Sequence, residues 1–241
     1  MTLAESYSIP SSRRRRGNSH LPTKPQSEDD LNDLRDLAHQ LDGQPMPGVR
    51  MSEAQFEKWS DGDIRAEWID GEVILLSPAN IPHVDLNLWL AGLIREVVDA
   101  EECGRVLGVE TQVRLQAVKQ RRNPDVVFVS HLRQQIIKQT YIDGPPDLVM
   151  EIVSPDSVVR DWREKFNAYE KSGVREYWVI DPVNKRVEVY TLGKNGKYTL
   201  LKESDGRITS KVIRKLSIRP NWLWESPLPK IAKVLKEIGV R

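Results

Sequence analysis

Hydrophobic positions along this chain follow distinct spacings, and each spacing predicts an element. From about His83 to Ala100, Leu86, Leu90, Leu93 and Val97 recur at helical intervals, with Trp89 and Ile94 widening the face. Two short apolar runs predict buried strands: Val126-Val127-Phe128-Val129 after Asn123-Pro124-Asp125, and Leu148-Val149-Met150-Glu151-Ile152-Val153 between Pro146 and Pro155. Glu176-Tyr177-Trp178-Val179-Ile180 reads as another strand. Val109, Thr111, Val113 and Leu115 alternate as a half-buried strand does, and so does the stretch 186–190. Asp70-Gly71 joins 65–69 to 72–76 as a tight hairpin. Ser52-Glu53-Ala54-Gln55 is a capping box opening a short helix with Phe56 and Trp59. A helix over 156–172 stops at Gly173, and a last one starts near Pro229. Hairpin, long helix, strands, helix, strands: this order predicts an α/β (α+β) mixed sheet with the 83–100 helix on one face and the 156–172 helix on the other.

Composition adds the flanks. Residues 1–26, with Arg13 to Arg16 and scattered Ser and Pro, read as a disordered basic tail. Residues 27–49 form an acidic helical extension whose Leu31, Leu34, Ala38 and Leu41 share one face. That face can dock on the body or the helix can meet the tail's arginines; the pattern leaves both open. The folded domain is expected over 50–241. A net charge of +1 gives no global pull toward a polyanion, and Cys103 alone excludes an intrachain disulfide or a cysteine metal cluster. No apolar run approaches the roughly 18 residues that span a bilayer. The basic N-terminal stretch is followed by no apolar core of a secretory signal, so the cytoplasm is the expected location.

Chemistry enters with the carboxylates. Glu151 interrupts an apolar strand, and an ionised group is rarely buried without a partner. Asp125 stands at the mouth of the neighbouring strand. Asp161, Lys165 and Tyr169 follow at four-residue spacing on one helical face, which begins just beyond the Glu151 strand and can look back at it. Two hard oxygen ligands with a lysine nearby suit Mg2+, which takes one or two carboxylates and keeps several waters. The residues themselves therefore point to a metal-dependent phosphodiester hydrolase. Plainer readings stand beside it: a buried Glu151–Lys165 pair without metal, Asp125 capping a turn, Asp161 and Tyr169 holding Lys165, and Asp147 and Asp181 as turn acids. No Ser-His-Asp order, glycine-rich phosphate loop or zinc-ligand spacing is present to support another chemistry.

These motifs together, Pro124-Asp125, the 146–155 strand, Asp161-x-x-x-Lys165-x-x-x-Tyr169 and the stretch from Gly173-Val174-Arg175-Glu176-Tyr177-Trp178 to Asp181-Pro182, resemble the Uma family of restriction-endonuclease-like proteins. Ile69-Asp70-Gly71-Glu72, Ser77-Pro78 and His83 match it too, and the resemblance runs over about residues 51–225. It implies a restriction-endonuclease-like core of the PD-(D/E)XK superfamily with helices on both faces, DNA as substrate, Mg2+ or Mn2+ as cofactor and a homodimer. Asp125 and Glu151 then become the metal-binding acids, with the Ile152 carbonyl as a further ligand. Val153 stands where that superfamily places its lysine, and Lys165 is the migrated candidate. His83 falls where the superfamily carries its helical first-motif acid, ahead of Glu67 or Glu72 on the hairpin. Arg121 and Arg122 would hold phosphates beside the site. The alternative is a catalytically weak nuclease-fold protein that binds DNA or a protein partner.

Overall fold

A computed structural model describes residues 24–41, 48–60, 64–108, 110–153 and 160–240. Along the chain come α1 (Glu28–Leu41), α2 (Glu53–Trp59), the hairpin β1 (Ala66–Ile69) and β2 (Glu72–Leu75), and α3 (Ile81–Ala100). Then follow β3 (Gly104–Leu107), β4 (Gln112–Leu115), β5 (Gln120–Arg122), β6 (Val126–Ser130), β7 (Tyr141–Asp143), β8 (Leu148–Ile152) and α4 (Arg160–Ser172). The C-terminal part holds β9 (Glu176–Asp181), β10 (Arg186–Leu192), β11 (Tyr198–Leu200), the short pair β12 (Ile208–Thr209) and β13 (Ser217–Ile218), and α5 (Ile231–Glu237).

The central sheet runs β11-β10-β9-β8-β6-β3. β8 and β9 are parallel, joined by the connection through α4, while β6 lies antiparallel to β8. Strand alternation divides the side chains between two cores. Val126, Phe128, Leu148, Met150, Ile152, Trp178 and Ile180 face Leu86, Leu90, Leu93, Ile94 and Val97 of α3. Val127, Val129, Val149, Tyr177 and Val179 face Ala168 and Tyr169 of α4. The mixed sheet with one helix on each face is the expected one.

A second sheet, β2-β1-β5-β4-β7, was not separable in the sequence. Its Val113, Leu115 and Ile142 complete the core on the α4 side. The Asp70-Gly71 turn has positive φ at both residues, 44° and 99°, which is the geometry an Asp-Gly hairpin supplies. The Ser52 capping box opens α2 as the spacing implied.

At the N-terminal end, the tail expected over 1–26 lies outside the described residues except for its last three, of which Pro25 packs on the body. Pro25 is buried and its carbonyl accepts from Gln55 Nε2 at 2.8 Å. The face of α1 carrying Leu31, Leu34 and Ala38 packs with Phe56, Trp59 and Val73, so this helix docks on α2 and the hairpin. Arg35 fixes it further by donating to the carbonyls of Lys58 and Trp59. No helix among the described residues is long and apolar enough to cross a membrane.

Candidate active site

Asp125 immediately precedes β6, and the register pairing Val126 with Met150 sets it opposite Glu151. Alternation turns Glu151 to the same face as Val149, toward α4. There α4 presents two side chains one turn apart. Lys165 Nζ donates to Glu151 Oε2 at 2.9 Å, and the Tyr169 hydroxyl donates to Oε1 at 2.7 Å. Tyr169 thus acts on the carboxylate directly and not by holding Lys165. The Asp161 side chain lies outside the described residues.

Asp125 is held from the other side of the sheet. Asn80 caps α3 by accepting from the His83 N–H at 2.9 Å, which places His83 in the first turn. His83 Nε2 lies 2.9 Å from Asp125 Oδ1. Asn87, one turn on and buried, donates to the Asp125 carbonyl at 3.3 Å. The Ile152 N–H donates to Asp125 Oδ2 at 2.7 Å, locking the two strands' acids into one arrangement. Asp125, Glu151, Lys165, His83 and Ile152 therefore meet in one place. Asn87 was missed, although its spacing of four from His83 puts it on the same helical face.

A further carboxylate completes the cluster. Glu67 on β1 is buried; it accepts from Arg122 Nη1 at 2.6 Å and from the Asn123 N–H at 3.2 Å. Burial alone would raise the Glu67 carboxyl, but the charges of Arg122 and Lys165 outweigh it and hold it below the ordinary value. Glu151 is the reverse case. Burial pushes its carboxyl up to about 7, Lys165 opposes the rise, and Asp125 and Glu67 add to it. Lys165 is itself raised: burial disfavours its charge, yet Glu151 and Glu67 more than compensate, so it stays an ammonium. Burial and the Glu151 charge likewise keep the Tyr169 phenol protonated.

Arg121 and Arg122 do not present themselves to a phosphate. Both are 1% exposed. Arg121 donates to Glu53, Glu57 and Gln112, and Arg122 to Glu67 and Gln120. Acids from α2 and β1, distant in sequence, have claimed both guanidinium groups. Glu72, the other hairpin alternative, is exposed.

Three carboxylates, Asp125, Glu151 and Glu67, surround two fixed cations, Lys165 and Arg122. The surplus of negative charge and the raised Glu151 fit a divalent cation. Among the described residues no three His, Cys, Asp or Glu groups form a cage of their own. Two carboxylates with water completing the shell is what Mg2+ accepts.

The model of the Uma2 family, described as "Putative restriction endonuclease", matches residues 53–219, more than two thirds of the chain. The chain belongs to the Uma2 family. The matched stretch holds every residue of the cluster and leaves out α1. The Uma2 chain is also similar in fold to the crystal structure of a "putative nuclease belonging to DUF820" from Anabaena variabilis ATCC 29413. Identity is 21%, the TM-score is 0.59, and the likeness covers 71% of this chain and 96% of that one. No curated protein matches. Family and fold place this Uma2 protein among nuclease-like proteins.

Proposed function

We propose that this Uma2 protein is a Mg2+-dependent endonuclease that hydrolyses phosphodiester bonds of DNA. The observation that carries the reading is the under-compensated Glu151, buried opposite Asp125 with its carboxyl pushed up to about 7 beside a lysine that keeps its charge. Asp125, Glu151 and the Ile152 carbonyl would hold Mg2+, with Mn2+ able to replace it. When bound, the ion polarises a phosphoryl oxygen and eases deprotonation of the attacking water.

The chain's own groups do the rest. Lys165 keeps Glu151 oriented and places a permanent positive charge where charge builds on the phosphoryl oxygens. Tyr169 fixes the other Glu151 oxygen, so the carboxylate cannot rotate away. His83, 16% exposed on the open side of Asp125, orients that acid and can donate a proton to the leaving oxygen as the P–O bond breaks. Water attacks phosphorus, one strand end keeps the phosphate, and the other leaves as a hydroxyl.

The test is cleavage of supercoiled plasmid with Mg2+ or Mn2+ by the wild type and by Asp125→Ala. Cleavage lost in the variant supports the reading; equal cleavage by both overturns it. Val153 in the superfamily's lysine position favours a second reading, a nuclease fold that binds DNA or a protein without cutting. That reading predicts no cleavage by either protein.

A further inference from the structure

A cavity of about 410 Å3 opens beside the Asp125 end of the sheet, with Arg65, Glu110, Gln112, Asn123 and Tyr141 among its lining residues. Asn123 stands two residues before Asp125. The turn carrying Glu110 runs past the same point, since a Cβ on Gly108 would lie 3.9 Å from the Asp125 carbonyl oxygen. The cavity therefore adjoins the candidate active site but shares none of its ligating groups.

Two of its residues are unusual. Arg65 and Glu110 carry opposite charges and line the same space, yet neither side chain makes a hydrogen bond or ion pair, with the other or with any described residue. Glu110 is moreover held at φ 74°, a left-handed conformation that side-chain-bearing residues avoid unless the surroundings impose it. Tyr141 adds an aromatic ring to the lining. The Arg121 guanidinium, which lines the same cavity, lies 4.8 Å from its ring centroid and is itself held by Glu53 and Glu57.

A free donor fork and a free acceptor fork beside an aromatic ring suit a planar ligand with both acceptor and donor edges. We infer that this cavity takes an unpaired guanine base of the nucleic-acid strand, next to the phosphate being cut. Guanine O6 and N7 accept from the Arg65 fork, and its N1–H and N2 amino group donate to the Glu110 carboxylate. Adenine offers no O6 and no N1–H, and pyrimidines lack N7. Because pairing occupies the N1/N2 edge in a duplex, the base must be single-stranded or turned out of the stack. This inference rests on the nuclease reading for its substrate.

The test uses the full chain in EDTA and measures fluorescence anisotropy with oligothymidine carrying one central guanine, 7-deazaguanine, hypoxanthine or adenine. The guanine strand is expected to bind about tenfold tighter than the others, the discrimination one bidentate contact supplies. Arg65→Ala and Glu110→Gln should each abolish the preference. Arg65→Lys should abolish it as well, because a point charge cannot reproduce the fork. Equal binding of all strands, no binding of any, or a preference that survives these substitutions overturns the inference. Plasmid cleavage without guanine preference would remove this inference alone, whereas guanine preference without cleavage would remove the nuclease reading alone.

Discussion

Two buried carboxylates stand four residues apart along the β8 segment, and their surroundings have opposite effects. Asp147, wholly buried just before the strand, accepts from the Ser130 N–H at 2.8 Å, Arg175 at 3.1 Å and Arg133 at 3.3 Å. Burial would raise its carboxyl, but these donors hold it below the ordinary value. Glu151, nearly as buried, has Lys165 and Tyr169, yet Asp125 and Glu67 crowd it and its carboxyl rises to about 7. The first acid is satisfied by the fold. The second has one cation beside it and two further carboxylates, Asp125 and Glu67, so its charge is incompletely balanced, as the proposed metal site requires.

That contrast can be broken most sharply through activity. Glu151→Gln keeps the shape and removes the charge. Plasmid nicking rates should fall on the order of a thousandfold, equivalent to about 4 kcal/mol of transition-state stabilisation. Lys165→Met should cost about a hundredfold in single-turnover rate, the range seen when one preorganised donor is lost. Asp147→Ala should do the opposite: urea unfolding should show a loss of about 1–3 kcal/mol, as the buried Ser130 N–H goes unsatisfied, with cleavage per folded molecule unchanged.

The smallest effect is in the pH dependence of stability. Glu151 has a folded pKa of about 7 against an ordinary 4.5, so the folded state holds its proton more tightly. Its contribution is complete below about pH 4.5 and is lost as pH rises toward 7. Unfolding free energy of the metal-free protein should therefore decline across that window, and Glu151→Gln should flatten the decline. Asp147, depressed below 3.8, gives the reverse slope: its contribution is present above that value and disappears at lower pH. A decline that persists in Glu151→Gln would assign it to another group.

Much of this could be read from the chain because it is local. The apolar run around Glu151, the helical spacing of Lys165 and Tyr169, and the placement of His83 in the first turn of α3 depend on nearby residues. What could not be read depends on distant pairing. β1 and β5 join through Trp68 and Arg121, which puts Glu67 beside Arg122. Without that pairing a run of arginines before Asp125 looks like a phosphate clamp, while in the fold it is consumed by acids more than fifty residues away. Asp147 was mistaken for a turn acid for the same reason, since Arg133 and Arg175 reach it from separate segments. Asp181, by contrast, does accept from the N–H groups of Val183 and Asn184 as a turn acid should.

In the proposed function a divalent cation supplies the positive charge that Lys165 alone does not provide around Glu151. Titration calorimetry with Mn2+ near pH 7, repeated in buffers of different ionisation enthalpy, tests it directly. The wild type should bind an ion and release a fraction of a proton as Glu151 ionises, and Glu151→Gln should neither bind comparably nor release it. Equal binding by both proteins, or no binding by the wild type, would rule out a metal site at Glu151.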